Sequence, residues 1–240
     1  MSETSQNIGS NPFMSRANAT EILLIRHADA LPDPAEVVPG GSYDDQPLSA
    51  KGRAQADALA QRWGSIKLKA IYSSPLRRTI ETATPLANLQ GLDIIPIAGV
   101  REINIGPQFK LEETLSPTET ATALRERLDR IIQIAAIHGS WDAVNTEERS
   151  ADFRKRVVEA MDSLALTHIG DRIAVFSHGG AINIYISEVL GINRDFFFPC
   201  GNTSVTFLRI FKGQDGKPQR LLVSLNELSH LRDAGLLKED

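Results

Sequence analysis

Cysteine is almost missing: Cys200 is the one example in 240 residues. An internal disulfide is therefore excluded, and so is a zinc site built on cysteine pairs. An excess of positive charge is missing too. The 26 Lys and Arg stand against 30 Asp and Glu, a net charge of -4, whereas counterion release from nucleic acid usually takes a basic face. No apolar run approaches the ~20 residues that a membrane span requires. The first 20 residues, rich in Ser and Asn, lack the apolar centre of a secretory signal and are expected to form a tail without ordered structure. These absences suggest a cytoplasmic protein with neither a nucleic-acid nor a membrane partner, although a local cationic pocket is still allowed. What is present is a chain with 42% apolar residues, enough for one sizeable α/β domain.

Glu21 to Arg26 (EILLIR) is a short apolar run that predicts a buried strand ending at His27. Residues 28–47 carry Pro32, Pro34, Pro39, Gly40, Gly41 and Pro47, which is loop chemistry, and a loop of that length is often functional. Ser49 should cap a helix running through Trp63. Ala70 to Ser73 reads as a second strand. Ser74-Pro75 then reads as the N-cap and first residue of another helix. Ile94 to Ala98 is a third strand candidate.

Ser116-Pro117-Thr118-Glu119 is a capping box. It opens a helix with Leu124, Leu128, Ile131 and Ala135 at helical spacing, stopped by Gly139. A further helix is expected from about Glu147, with Phe153, Val157, Met161 and Leu164 on one face. Arg172 to Ser177 (RIAVFS) predicts another buried strand, followed by a helix from Gly179 to Leu190. Two late strands are expected near Thr203–Phe211 and Leu221–Leu225. Strands alternating with helices imply a three-layer α/β sandwich, with a mostly parallel central sheet flanked by helices. Residues 21–240 should form a single domain, with a helical insertion around 103–166.

Three features end predicted strands: Arg26-His27, then Ser73-Ser74-Pro75-Leu76-Arg77, then Ser177-His178-Gly179-Gly180. Ligands of parallel sheets bind just beyond the carboxyl ends of the strands, so these segments should converge on one crevice. Two histidines and two arginines suit a phosphate, because the planar guanidinium fork grips two oxygens at once. Arg26 and Arg77 are the expected phosphate ligands, with Arg78 as the rival of Arg77. Gly179-Gly180 let a helix N-terminus come close to an anion. A neutral His27 can attack phosphorus while His178 and the arginines hold the equatorial oxygens. With those cations in place, neither a metal nor another cofactor is required.

The pattern resembles the histidine phosphatase superfamily, the phosphoglycerate mutase-like family. Arg26-His27-Ala28 looks like its Arg-His-Gly/Ala signature. Pro47-Leu48-Ser49-Ala50-Lys51-Gly52-Arg53-Ala54-Gln55-Ala56 resembles its Leu-Thr-x-x-Gly-x-x-Gln-Ala helix start. Residues 73–83, Ser-Ser-Pro-Leu-Arg-Arg-Thr-Ile-Glu-Thr-Ala, are similar to its Ser-Ser-x-Leu-x-Arg-Ala-x-x-Thr-Ala segment. Ser177-His178-Gly179-Gly180 resembles its late histidine motif. The resemblance covers about residues 21–230 and implies a phosphoglycerate mutase-like fold.

That resemblance also implies roles. Catalysis would rest on His27, Glu102 and His178. Phosphate binding would rest on Arg26, Arg77, His178, Gly179 and Asn202, with Ser204 near the pocket. Glu102, in Val100-Arg101-Glu102, would protonate the leaving oxygen. A backbone carbonyl would hold one ring nitrogen of His27 and leave the other free. Asp29 is the alternative proton donor, its simpler role being a loop turn. His230, His138, His168, Trp63 and Trp141 read as packing or helix-end residues, and Asp44 and Asp45 as loop residues.

The expected reaction is hydrolysis of a small phosphomonoester through phosphohistidine. Phosphoglycerate mutase-type transfer and a catalytically retired phosphate-binding module are the alternatives. Mutases of this family carry an Asn soon after the first motif, absent from Arg26-His27-Ala28-Asp29-Ala30-Leu31. A Trp-Glu-Gly-like stretch is replaced by Ile105-Gly106-Pro107-Gln108-Phe109. Both departures favour hydrolysis. Homodimers are common among similar enzymes, which leaves that partner open.

Overall fold

Side-chain alternation along the strands divides the core in two. In strand β1 (Ala19–Arg26), Ile22 and Leu24 belong to one buried cluster and Leu23 and Ile25 to another. In β4 (Arg172–Ser177), Ile173 and Val175 join the first cluster, and Ala174 and Phe176 the second. A period of two places successive residues on opposite faces of a sheet. Both faces are apolar, so both must be covered. The computed structural model describes residues 18–32, 45–106 and 115–237.

The other strands are β2 (Ala70–Ser73), β3 (Ile94–Pro96), β5 (Val205–Lys212) and β6 (Pro218–Glu227). The sheet order is β3-β2-β4-β1-β5-β6. Strands β3, β2, β4 and β1 pair in parallel, and β5 runs antiparallel to both β1 and β6. The expected mostly parallel sheet is therefore present, with β5 as its one reversed strand.

Helices α1 (Ala50–Trp63) and α2 (Arg77–Gln90) cover one face through Leu59, Ala60, Ala83, Leu86 and Ala87. On the other face lie α4 (Ser150–Thr167) and α5 (Gly179–Leu190), whose Phe153, Val157, Met161, Ile182 and Ile186 are buried there. Each such Ile or Val side chain stabilises the fold by about 1.5–3 kcal/mol. Helix α3 (Pro117–His138) packs against a 3-10 turn at Trp141–Val144. A short α6 (Ser229–Asp233) rests on α1. The capping box at Ser116 and Glu119 and the left-handed Gly139 C-cap are both formed.

Several boundaries differ from the sequence reading. Strand β1 begins at Ala19, inside the stretch read as a tail, because Ala19 and Thr20 continue the pairing with β5. Residues 1–17 lie outside the described residues, as do 33–44 of the proline-rich loop and 107–114. Helix α4 starts at Ser150 and not near Glu147. The backbone N–H groups of Glu147 and Glu148 instead donate to Asn104 O, at 3.0 and 3.2 Å, a tertiary contact that local pattern does not encode. Helix α4 packs on the sheet beside α5 and so belongs to the helical layer. Among the described residues, no helix is long and apolar enough to cross a membrane.

Candidate active site

His27 follows β1, Ser74 follows β2 and His178 follows β4, so the three parallel strands deliver them to one edge of the sheet. The imidazoles of His27 and His178 meet there with ring centroids 5.2 Å apart. His27 is half-buried, and its Nδ1 lies 2.7 Å from Ala28 O. A carbonyl can only accept, so Nδ1 carries the proton and the neutral ring leaves Nε2 as a lone-pair nitrogen. Ala28 is itself fixed, its N–H donating to Thr82 Oγ1 at 2.9 Å.

Both rings are held neutral below the ordinary imidazole range. For His27 the main cause is burial, followed by the charges of Arg78 and Arg26, against a smaller opposing effect of the Ala28 carbonyl. For His178 burial again leads, followed by Arg78, His27 and Arg26. His178 is fully buried, and its Nε2 lies 2.8 Å from Ser74 Oγ. Its Nδ1 has no protein hydrogen-bond partner, and neither has buried Arg26 Nε. Buried polar groups are nearly always paired, so these two nitrogens mark a place suited to an external hydrogen-bonding group. Arg26 Nη1 donates to Cys200 O, which fixes the guanidinium.

Arg26, His27, Arg78, Glu102, Gly179 and Asn202 all line a single cavity of about 920 Å³. Arg77 does not, and the expectation that it binds phosphate is corrected. Its side chain is 59% exposed and pairs with Glu81 at 2.6 Å, on the outer face of α2. The physical reason is helix phase. The N-cap is Leu76, not Ser74, and Ser74 Oγ is engaged with His178 instead. Each residue turns a helix by about 100°, so the cavity side falls to half-buried Arg78. Asp45, read as a loop residue, accepts the Arg77 N–H at 2.6 Å and supplies the cap that Leu76 cannot.

Glu102 sits at the start of α5. Its carboxylate accepts the N–H of Gly180 at 3.0 Å and that of Ile103 at 3.1 Å. A Cβ at Gly180 would fall 2.4 Å from Glu102 Oε1 and 2.8 Å from Trp141 Cζ2, so only glycine admits this approach. Gly179, by contrast, has room for a Cβ, 3.6 Å from Arg26 Nε. Strand β3 is shorter than expected and gives way to a 3-10 turn at Ala98–Val100. Ser177 Oγ ties that turn to β4 through Val100 O at 2.8 Å.

Arg156 was not visible as a site residue in the sequence. Its guanidinium donates to the carbonyls of Gly99, Arg101 and Glu102 at 2.8–3.0 Å, and to both oxygens of Glu148. It therefore holds the backbone that carries Glu102. Asp29 is placed as an anchor. Its carboxylate accepts Ser49 Oγ–H at 2.6 Å and its carbonyl accepts Ser49 N–H at 3.0 Å, which binds the first loop to the cap of α1. Asn202, expected at the phosphate, lines the cavity and also holds main chain. Its Nδ2 donates to His27 O at 3.1 Å, beside Thr203 N–H at 3.3 Å, so it positions the His27 backbone. The Ser204 carbonyl accepts Arg26 N–H at 3.2 Å.

His230 and His168 are bonded away from the cavity, to Thr203 Oγ1 and Tyr72 Oη. Trp141, read as packing, is buried yet also lines the cavity. Among the described residues, no group of three or more His, Cys, Asp or Glu side chains is placed to hold a metal ion.

A sequence profile of the histidine phosphatase superfamily (branch 1) matches residues 22–222. The chain is 31% identical to the probable phosphoglycerate mutase GpmB of Yersinia enterocolitica, over 72% of its own length and 75% of the relative. It is 32% identical to the protein of the same name from Escherichia coli strain K12, with the same coverage. Among solved structures it is similar to the phosphoglycerate mutase of Bacillus anthracis. There the TM-score is 0.68 at 20% identity, covering 92% of this chain and 98% of that one. It is also similar to a phosphoserine phosphatase of Entamoeba histolytica in complex with 3-phosphoglyceric acid. There the TM-score is 0.64 at 24% identity, covering 88% and 99%. At these identities the structural likeness establishes the fold.

Proposed function

Because the chain belongs to the histidine phosphatase superfamily, we propose that it is a phosphomonoesterase working in two steps through phosphohistidine at His27. The observation that carries this reading is the Nδ1–Ala28 carbonyl bond, which frees Nε2 among the buried, unpartnered donors of Arg26 and His178. In the first step Nε2 attacks phosphorus and the ester P–O bond breaks. Arg26, Arg78 and His178 bear on the equatorial oxygens, and Glu102 gives its proton to the departing alkoxide. In the second step Glu102 takes a proton from water as that water attacks phosphorus. The P–N bond breaks, phosphate leaves and neutral His27 is restored. The three cationic or N–H-donating groups supply the charge stabilisation, so the reaction needs no metal. Water as acceptor is supported by the sequence departures after His27 and at residues 105–109. The mutase name of the GpmB relatives supports the second reading, return of the phosphoryl group to another hydroxyl of the substrate. Release of inorganic phosphate separates the two.

Glu102→Gln should slow an alkyl phosphate by about 10²–10⁴-fold and a p-nitrophenyl ester by much less, because the nitrophenolate leaves without a proton. Parallel losses on both esters would take the acid role from Glu102, and Asp29 would be tested next.

The depressed imidazole values fix a pH dependence. His27 stays neutral below the ordinary histidine value of about 6.5, since burial and then Arg78 and Arg26 disfavour its charged form. The acid limb of kcat/KM on an activated ester is thus expected well below pH 6.5. A limb centred there would contradict the assigned electrostatics. Stability follows the same sign. The unfolded imidazoles take up protons below about pH 6.5 while the folded ones do not, so stability is whole above that pH and declines as pH falls.

A further inference from the structure

Phosphate chemistry accounts for the floor of the cavity but not for its walls. One wall is the apolar stripe of α3, where Leu124, Leu128, Ile131 and Ile132 recur at helical spacing and line the cavity. Leu124 and Ile131 are buried, whereas Leu128 and Ile132 are half-buried, so part of the stripe is cavity surface and not closed core. Facing the catalytic groups is the edge-to-face pair of Trp141 and Phe196, with ring centroids 5.8 Å apart. Both rings line the cavity, and Trp141 stands against the Gly180–Glu102 contact, where the alcohol part of an ester would depart.

Several polar groups that line the cavity are bonded to one another, while Arg101 and the buried Trp141, whose Nε1 has no protein hydrogen-bond partner, line it as well. Asn104 Nδ2 donates to Glu147 Oε2 at 2.9 Å, Gly106 N–H to Asn104 Oδ1 at 3.1 Å, and Asn104 N–H to Glu148 Oε2 at 3.2 Å. Glu148 is further held by Arg156. A sugar or a hydroxy acid needs several donors and acceptors still available to it, because each buried hydroxyl left unpaired is penalised. A hydrocarbon needs none. The volume of about 920 Å³ lies near the top of the ~300–1,000 Å³ range of pockets that take drug-sized ligands, well beyond the needs of a phosphate group.

We infer that the substrate is a phosphomonoester with an extended apolar alcohol, an alkyl chain or aryl group, seated between α3 and the Trp141–Phe196 pair. This rests on the phosphomonoesterase reading of the same site.

The test uses n-alkylphosphonates from ethyl to hexyl. They present the phosphoryl oxygens but have no P–O–C bond to cleave, so binding to the full chain is read by calorimetry without turnover. Each added methylene that enters the apolar wall should tighten binding about four-fold, making hexyl roughly 250-fold tighter than ethyl. Leu128→Arg should flatten that gradient, and Ile132→Arg serves the same purpose should the first variant fail to fold. A flat or undetectable series overturns the inference, as does tighter binding of 3-phosphoglycerate than of hexylphosphonate. The two readings fail separately. A steep gradient in a protein that hydrolyses no ester removes the phosphatase and keeps the pocket. Turnover of p-nitrophenyl phosphate with a flat gradient does the reverse.

Discussion

His27→Ala should lower turnover of an aryl phosphate by at least about 10⁴-fold, the scale seen when a covalent nucleophile is removed, with little change in melting temperature. The fold survives because the strand end is held by main chain. His27 N–H donates to Ser177 O at 2.9 Å, and His27 O accepts from Asn202 and Thr203. None of these bonds uses the imidazole. The wild-type rate should be unchanged in excess chelator, as the proposed charge stabilisation comes from Arg26, Arg78 and His178. A base quench during turnover should trap the phosphoryl group on wild-type protein as an alkali-stable, acid-labile phosphoramidate, and trap nothing on the variant. A variant within ten-fold of wild type would remove His27 from the mechanism. Loss of the wild-type rate in chelator would mean that the paired imidazoles serve a metal.

Arg78→Met should reduce kcat/KM by about 10²–10³-fold, the usual effect of deleting one group that stabilises transition-state charge. It should also weaken competitive inhibition by inorganic phosphate. Arg77→Met, one residue away, should stay within about two-fold, since its loss removes only an exposed i,i+4 pair worth about 0.3–0.5 kcal/mol. The contrast between neighbours matters more than either value. Arg78 lies among charges that keep it bound to the cavity: burial pulls its pKa down, while Glu102 and Asp45 raise it. Arg77 faces water and Glu81. Kinetics with the order reversed would return the phosphate to Arg77 and refute the helix phase described above.

That pair also shows where sequence reasoning reached and where it stopped. The strand ends bearing Arg26, His27 and His178 were legible because a short apolar run stops at each of them, and strand ends are where parallel sheets bind ligands. The helix caps at Ser49 and Ser116 were legible for the same local reason. The choice between Arg77 and Arg78 required the phase of α2, and Ser74 looks like a cap in sequence while its hydroxyl serves His178, 104 positions away. Arg156 reads as one more charged residue on a solvated helix face. Its importance lies in carbonyls 54–57 positions distant, and no periodicity announces such a bond. Asn202 lines the cavity, but the direction of its amide, toward the His27 carbonyl, depends on how two loops meet.

The bond from His27 Nδ1 to Ala28 O has a consequence for how this site can be lost. In enzymes that orient a catalytic histidine with a carboxylate side chain, one substitution of that carboxylate leaves the ring in the wrong tautomer. Here the acceptor is main chain, so every residue type at position 28 still offers it. The orientation of the ring is thereby protected against change in its immediate partner. The vulnerability moves to whatever displaces the peptide itself: a larger side chain in the fully buried space at Ala28, or loss of the Thr82 hydroxyl that receives its N–H. The tautomer of His27 thus depends on the packing of α2 against the first loop, through Thr82 and the Ala28 peptide.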